Sequence, residues 1–223
     1  MLMNKVLNYP PIAGKMARFF ARVHQTSYKL VGGFAAASEK GLHPKHRLTR
    51  YHDFFVENVS VADSVLDVGC GNAALLKDVI LKTKAPAVGV DISRENVLLA
   101  KNRTLDLPDV NIIHGDIFDY DEKRSFDAIL LSNVLEHMRN RIELLTMLNE
   151  RFSPKKLLIR VPMYEREWLV PYKKEIGVEW RLDNTHVVEY TEDMLRNELK
   201  ESGMKIDKVF FRWGEIWAVA MPL

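Results

Sequence analysis

Leu66-Asp67-Val68-Gly69-Cys70-Gly71 decides how this chain is read: a short apolar strand, Ser64 to Val68, runs directly into two glycines separated by one residue. Glycine there permits a sharp turn and lets a ligand approach the main chain without meeting a side chain. Asp67 sits two places before the first glycine. Twenty residues after Gly71, a second apolar strand, Ala87 to Val90, ends in Asp91. That spacing suits a ribose-binding carboxylate at the tip of the neighbouring parallel strand. The pair of signals reads as a nucleoside-cofactor-binding α/β domain.

From residue 64 onward, strands alternate regularly with helical stretches. Strands are expected near 64–68, 87–91, 110–114, 126–131 and 155–161, with helices near 72–83, 94–103 and 139–151. Ser93 is placed to cap the second helix. Such alternation predicts a parallel, doubly wound sheet. Residues 162–189 are aromatic, charged and irregular. A helix follows near 192–202, with Thr191 as N-cap, acids in its first turn and Gly203 after its end. Lys205–Phe211 and Glu215–Ala220 alternate as an antiparallel hairpin. Before the sheet, segment 14–37 carries an amphipathic helical pattern (Met16, Phe19, Phe20, Val23, Leu30, Val31, Phe34), with a break expected at Gly32-Gly33. A turn at 41–44 and a second helix over 45–58 complete the extension. The expected organisation is a helical cap over 1–58 and a main domain over 59–223 with a lid insertion at 162–190.

A chain of 223 residues, 47% hydrophobic and 28% charged, is long enough to bury a full α/β core. Its single cysteine, Cys70, excludes an internal disulfide and a cysteine-based zinc site, and reads as a small filler inside the glycine turn. No apolar run approaches the length of a membrane span and no secretory signal is visible, so a cytoplasmic protein is expected. The net charge of +2 is unevenly spread: residues 1–50 hold nine Lys/Arg against one acid, Glu39, and the remaining 173 hold 23 basic against 29 acidic groups. That bias fits either a solvated helix face docked on an acidic body or a basic lip for an anionic substrate or membrane surface.

Gly69-Cys-Gly71-Asn-Ala-Ala74 also satisfies a loose dinucleotide pattern, which keeps a nicotinamide-dependent oxidoreductase open. Asp67 argues against a pyrophosphate and for the ammonium of an amino-acid-like ligand. Gly115-Asp116, after the third strand, offers a carboxylate to an adenine amino group, with Ile117 as an aliphatic cover.

The runs VLDVGCGNAALL, VGVDIS, HGDIFDY and FDAILLSNVLEHM, in that order, resemble the class I S-adenosylmethionine-dependent methyltransferases, and especially the small-molecule group that includes the quinone methyltransferases. The resemblance spans roughly residues 60–161. It implies a Rossmann-like, doubly wound, mostly parallel seven-stranded sheet with an antiparallel C-terminal hairpin. It implies S-adenosylmethionine as cofactor, with Asp67, Gly69, Cys70 and Gly71 along its methionine part, Asp91 on the ribose and Ile92 against the adenine. Asp116 and Ile117 would hold the adenine edge and face, and Ser132 and Asn133 would lie beside the transferable methyl. Segment 43–52 would fold over the methionine end by the same analogy.

A sulfonium methyl is already electrophilic, so the protein chiefly aligns the nucleophile and excludes water. A hydroxyl nucleophile also needs a proton acceptor, for which His137 and His186 are the candidates. In the quinone methyltransferases the stretch at 133–137 carries more carboxylates and is associated with a divalent metal. Asn133 replaces the first of them here, so no metal is expected. Ser132-Asn133-Val134-Leu135 lacks the Asn/Asp-Pro-Pro-aromatic grip of base methyltransferases, which disfavours nucleic acid. Arg160, Trp168 and Arg181 are the candidate substrate contacts, the arginines for a carboxylate or phosphate and the ring for stacking. The expected activity is methyl transfer to a hydroxyl of a small molecule or glycan-like acceptor. A cofactor-binding protein without transferase activity is the alternative outside catalysis.

Overall fold

The structure, a computed structural model, describes residues 9–39, 43–121 and 124–223. Along the chain the elements are α1 (Pro10–Ser38), α2 (Lys45–Thr49), α3 (Tyr51–Glu57), β1 (Val65–Val68), α4 (Ala74–Thr83), β2 (Ala87–Asp91), α5 (Arg94–Arg103) and β3 (Val110–His114). There follow β4 (Ala128–Ser132), α6 (Arg141–Phe152), β5 (Lys156–Pro162), α7 (Leu169–Glu175), α8 (Glu192–Glu201), β6 (Met204–Arg212) and β7 (Glu215–Pro222). Two compact units result. One joins the described residues up to Thr49 to Tyr164–Asn184; the other joins Arg50–Met163 to Thr185–Leu223.

The second unit is built on a seven-stranded sheet in the order β3-β2-β1-β4-β5-β7-β6. β1 pairs in parallel with both β2 and β4, and β7 alone runs against its neighbours β5 and β6. The alternation of strands and helices predicted this layout, and the expected element boundaries fall within two residues of the observed ones. Strand residues alternate between two cores. Leu66, Val68, Leu157, Ile159 and Val161 enter one, and Val65, Ala87, Leu130, Leu158 and Val219 enter the other. Both faces are therefore covered, as a parallel sheet requires. Asp127, at the entry to β4, accepts hydrogen bonds from the N–H and hydroxyl of Ser64 and pairs with Lys155.

Residues 50–58, read as part of the cap, belong to the sheet unit: Phe54, Phe55 and Val56 of α3 are buried in the second core. The single helix expected over 45–58 is two, separated at Arg50, whose left-handed φ of 49° breaks it.

In the first unit, α1 runs unbroken through Gly32-Gly33, where a break was expected. The two glycines cost helix propensity, about 1 kcal/mol each, but they clear the wall of a cavity of about 540 Å³ lined also by Tyr28, His43 and Leu182. α1 is tied to Tyr164–Asn184 by Arg18 Nε donating to the Ile176 carbonyl, Gln25 to the Arg181 carbonyl, and Lys29 to Asn184. The apolar residues Phe19, Phe20, Val23, Leu30, Val31 and Phe34 of the expected amphipathic pattern are exposed. Of the turn expected at 41–44, residues 41 and 42 lie outside the described residues.

Candidate functional site

β1 has β2 on one side and β4 on the other, so the chain leaves β1 at the point where strand order reverses, which is where ligands bind in open α/β sheets. The turn after β1 is held in shape by its backbone. Gly69 N and Cys70 N both donate to the Val90 carbonyl, at 2.8 and 3.1 Å, and Gly71 N donates to Asp91 Oδ2 at 2.7 Å. Gly69 has a φ of +66°, and a Cβ there would lie 3.0 Å from Val134 Cγ2. Glycine is required by both conformation and space.

Two acids lie under this turn. Asp67, on β1, is 2% exposed, and its Oδ2 has no hydrogen-bond partner among the described residues. Burial, reinforced by the nearby Asp91 charge, pushes its carboxyl up to about 8. Asp91 accepts from Gly71 N, Ser93 N and Asn96 Nδ2. A carboxylate has about four lone-pair sites, so one remains on Oδ2 for a ligand hydroxyl while the present bonds fix the side chain's direction.

β4 ends at Ser132, and Asn133 then turns with a φ of 57°, its N–H donating to the Arg160 carbonyl at 2.9 Å. Asn accepts this left-handed conformation more readily than most residues. The turn delivers a 3₁₀ segment, Leu135–His137. Glu136 is fully buried, and neither of its carboxylate oxygens has a hydrogen-bond partner among the described residues. Burial raises its carboxyl to about 8. The Glu136 carbonyl accepts from Val187 N and Val188 N, which pins segment 185–190 to this turn, and Tyr190 N adds a bond to the Pro162 carbonyl. That pinning brings His186 to His137, with ring centroids 4.8 Å apart and edge to face. His186 Nδ1 lies 3.1 Å from Glu189 Oε1, and His137 Nδ1 lies 3.0 Å from Thr185 Oγ1. One ligand atom from each of Glu136, His137 and His186 lies within 4.8 Å of the others. A buried carboxylate without a partner beside two imidazoles is a donor set that fits a divalent cation. The expectation against a metal rested on Asn133 alone; the fold supplies a third donor, His186, from a distant part of the chain.

The sequence pattern of the methyltransferase-domain family matches residues 14–209. The chain belongs to the class I S-adenosylmethionine-dependent methyltransferases. Among its relatives, probable (S)-tetrahydroprotoberberine N-methyltransferase 2 of Papaver bracteatum is 34% identical over 94 residues, 40% of this chain and 26% of that protein. (S)-coclaurine N-methyltransferase of Papaver somniferum is 29% identical over 133 residues, 57% of this chain and 38% of that protein. The matches thus span well under half of these relatives' own lengths. A SAM-dependent methyltransferase of Aquifex aeolicus shares the fold, with a TM-score of 0.63 at 16% identity over 89% of this chain and 98% of that one. Family membership removes the nicotinamide-dependent oxidoreductase that the glycine turn left open.

Within this methyltransferase fold, the sequence-derived site residues divide. Asp67, Gly69, Gly71, Asp91, Ser132 and Asn133 gather at the C-terminal ends of β1, β2 and β4. Ile92 is 73% exposed, as an uncovered ring-binding face would be. Asp116 is exposed, and its Oδ1 caps the following turn by accepting from Phe118 N. Four assignments change. The Cys70 side chain faces Gly89, where a Cβ would come within 2.9 Å of its Sγ, and burial pushes the thiol pKa up, so only its backbone borders the turn. Ile117 is buried in the first core, where it packs as a core side chain. Arg160 is 3% exposed and committed internally: Nε and Nη2 donate to Glu215, both at 2.7 Å, and its guanidinium lies 3.8 Å from the centre of the Tyr51 ring. Arg181 is engaged by Glu179, at 2.8 and 2.9 Å, and holds that carboxyl down at about 2. Trp168, 75% exposed, leans on Tyr172, and both belong with Arg181 to the first unit. Of segment 43–52, Arg50, Tyr51 and His52 belong to the sheet unit. Tyr51 contacts Arg160; burial raises its hydroxyl pKa, against the lowering effect of the Arg160 charge.

Sequence reasoning missed Glu215 and Tyr51. A glutamate heading the apolar run Glu215-Ile-Trp-Ala-Val-Ala was the available signal, because a buried acid in a strand needs a cation.

Proposed function

We propose that this protein transfers the methyl group of S-adenosylmethionine to a hydroxyl of a small-molecule acceptor. The observation that carries the reading is the juxtaposition of His137, His186 and the unpartnered Glu136 directly after β4, beside the strand ends that hold the cofactor residues. Asp67 receives the cofactor ammonium, Asp91 the ribose hydroxyls and Asp116 the adenine edge. Ser132 and Asn133 border the methyl. His186, with Nδ1 on Glu189, is held so that Nε2 takes the acceptor's proton as the oxygen attacks, and Glu189 stabilises the resulting imidazolium. Arg160, fixed by Glu215, holds the end of β5 through Tyr51 and Ser132 and so positions the cofactor turn. Were Glu136, His137 and His186 instead to hold a divalent cation, His186 would act as a ligand and not as the base, and the cation would supply Lewis acidity, lowering the pKa of a bound hydroxyl. The relatives named as N-methyltransferases make an amine acceptor the competing reading.

The test is calorimetry with S-adenosylhomocysteine followed by a methyl-labelled screen of hydroxyl and amine acceptors. Asp91→Ala should weaken cofactor binding by about 10- to 100-fold, the worth of hydrogen bonds to a charged group. His186→Ala should bind cofactor normally and lose about 100-fold or more in turnover on a hydroxyl acceptor. Near wild-type turnover by His186→Ala, or label appearing only on amines, would overturn the hydroxyl reading. Cofactor binding with no product across the screen would mean a protein without transferase activity.

A further inference from the structure

α1 presents an apolar stripe that none of the described residues of its own unit covers. Ile12, Met16, Phe20, Val23, Leu30 and Phe34 recur at steps of three, four and seven residues, so at 100° per residue they fall within one narrow arc of the helix. Phe19 and Val31 flank that arc. All eight are exposed, from 38% at Met16 to 72% at Phe34. The face that packs on Tyr164–Asn184 is a different one, marked by the buried Ala21 and by Gln25. An exposed apolar strip of this length marks an interaction surface. Its charge decides what covers it. Pro10–Ser38 contains Lys15, Arg18, Arg22 and Lys29 and no Asp or Glu. Arg18 and Lys29 are engaged with Tyr164–Asn184, but Lys15 and Arg22 border the stripe, so two copies facing each other would bring four like charges near one another without an acid of α1 between them. No described helix is long and apolar enough to cross a membrane, and the four charges would oppose insertion of α1 across one. A helix with a strong apolar face bordered along one side by Lys15 and Arg22 suits the headgroup layer of an anionic bilayer.

We propose that α1 lies flat on an anionic lipid surface, with the Met16–Phe34 stripe in the acyl boundary and Lys15 and Arg22 reaching lipid phosphates. The attraction combines buried apolar area with Coulomb attraction, so neither suffices alone. The inference uses no feature of the cofactor site and stands apart from the choice of acceptor.

Sedimentation of the full chain with vesicles tests it. The protein should pellet with vesicles of equal parts phosphatidylglycerol and phosphatidylcholine, remain in solution with phosphatidylcholine alone, and be released by about 0.5 M salt. Lys15→Gln and Arg22→Gln should each weaken partitioning by about fivefold. The double variant Phe20→Glu/Phe34→Glu should lower it by more than about tenfold, with helical content and S-adenosylhomocysteine affinity unchanged, because both side chains are exposed. Failure to pellet with anionic vesicles would overturn the proposal, as would equal binding to neutral vesicles or binding indifferent to Phe20→Glu/Phe34→Glu. A concentration-dependent dimer in lipid-free buffer, abolished by Phe34→Glu, would assign the stripe to a second copy instead.

Discussion

At the scale of single residues, the proposed cofactor site rests on the glycine turn after β1 and the acid beneath it. Asp67 is buried with one oxygen lacking a partner, and its carboxyl rises to about 8, so in the free protein it is largely protonated at neutral pH. An ammonium arriving beside it favours the ionised form. Binding of S-adenosylhomocysteine at pH 7 is therefore expected to release a proton. Calorimetry in buffers of different ionisation enthalpy will read it, and Asp67→Asn should abolish that release while weakening binding. Gly89 serves by its lack of a side chain, since a Cβ would meet Cys70 Sγ at 2.9 Å and Ile112 Cδ1 at 3.0 Å. Gly89→Ala should cost about 1–3 kcal/mol in denaturant unfolding, the range for overpacking. The residues at the turn and at the tip of β2 were legible in the sequence because their signal is local. Ile117 was not, because adjacency to Asp116 says nothing about which face of a 3₁₀ turn enters the core.

At the scale of elements, the β5–β7 pairing is the feature with most at stake. Its register sets Arg160 opposite Trp217 and Pro162 opposite Glu215, which leaves Glu215 diagonal to Arg160 and lets the guanidinium be gripped twice. Trp217 Nε1 donates to the same carboxylate at 3.0 Å. Breaking a buried pair strands an uncompensated charge, so Glu215→Ala should destabilise the protein by about 3–5 kcal/mol. Replacing both charges, as in Arg160→Met/Glu215→Leu, should cost much less than the two single changes added. Chemical denaturation of the four proteins in the cycle measures this directly. The sequence placed Arg160 correctly at the end of a strand, but a strand-end arginine reads equally as a ligand contact or a structural pair until its antiparallel neighbour is known. α1 carries the same lesson. Its apolar periodicity identifies a helix and a stripe, yet whether the stripe faces a core or the solvent depends on which residues come to lie beside it.

At the scale of the molecule, four carboxyls shape the dependence of stability on pH. Asp67 and Glu136 are raised to about 8 in the fold. Unfolded, they ionise near pH 4, so between about pH 4 and 8 the native state binds the extra protons and stability falls as pH rises. Asp127 and Glu179 are held at about 2 by Lys155 and Arg181, so their contribution is present above pH 4 and is lost between about 4 and 2. The cofactor-free protein should therefore melt at higher temperature at pH 5 than at pH 8. Glu136→Gln should flatten that slope by removing one of the two buried acids. A melting temperature that climbs steadily from pH 5 to 8 would contradict the burial of both groups as unpaired acids.

The amino-acid sequence alone determined the order of the sheet unit's strands along the chain, the helices between them and the glycine turn after β1. Each of these is written in short-range spacing: alternation along a strand, glycines after it, an acid at the tip of the next. Only the tertiary structure decided that Glu136, His137 and His186 meet, that Arg160 is spent on Glu215, and that residues 50–58 join the sheet while 164–184 pack on α1. Such meetings follow from backbone bonds between distant segments and from strand register, which no local pattern encodes.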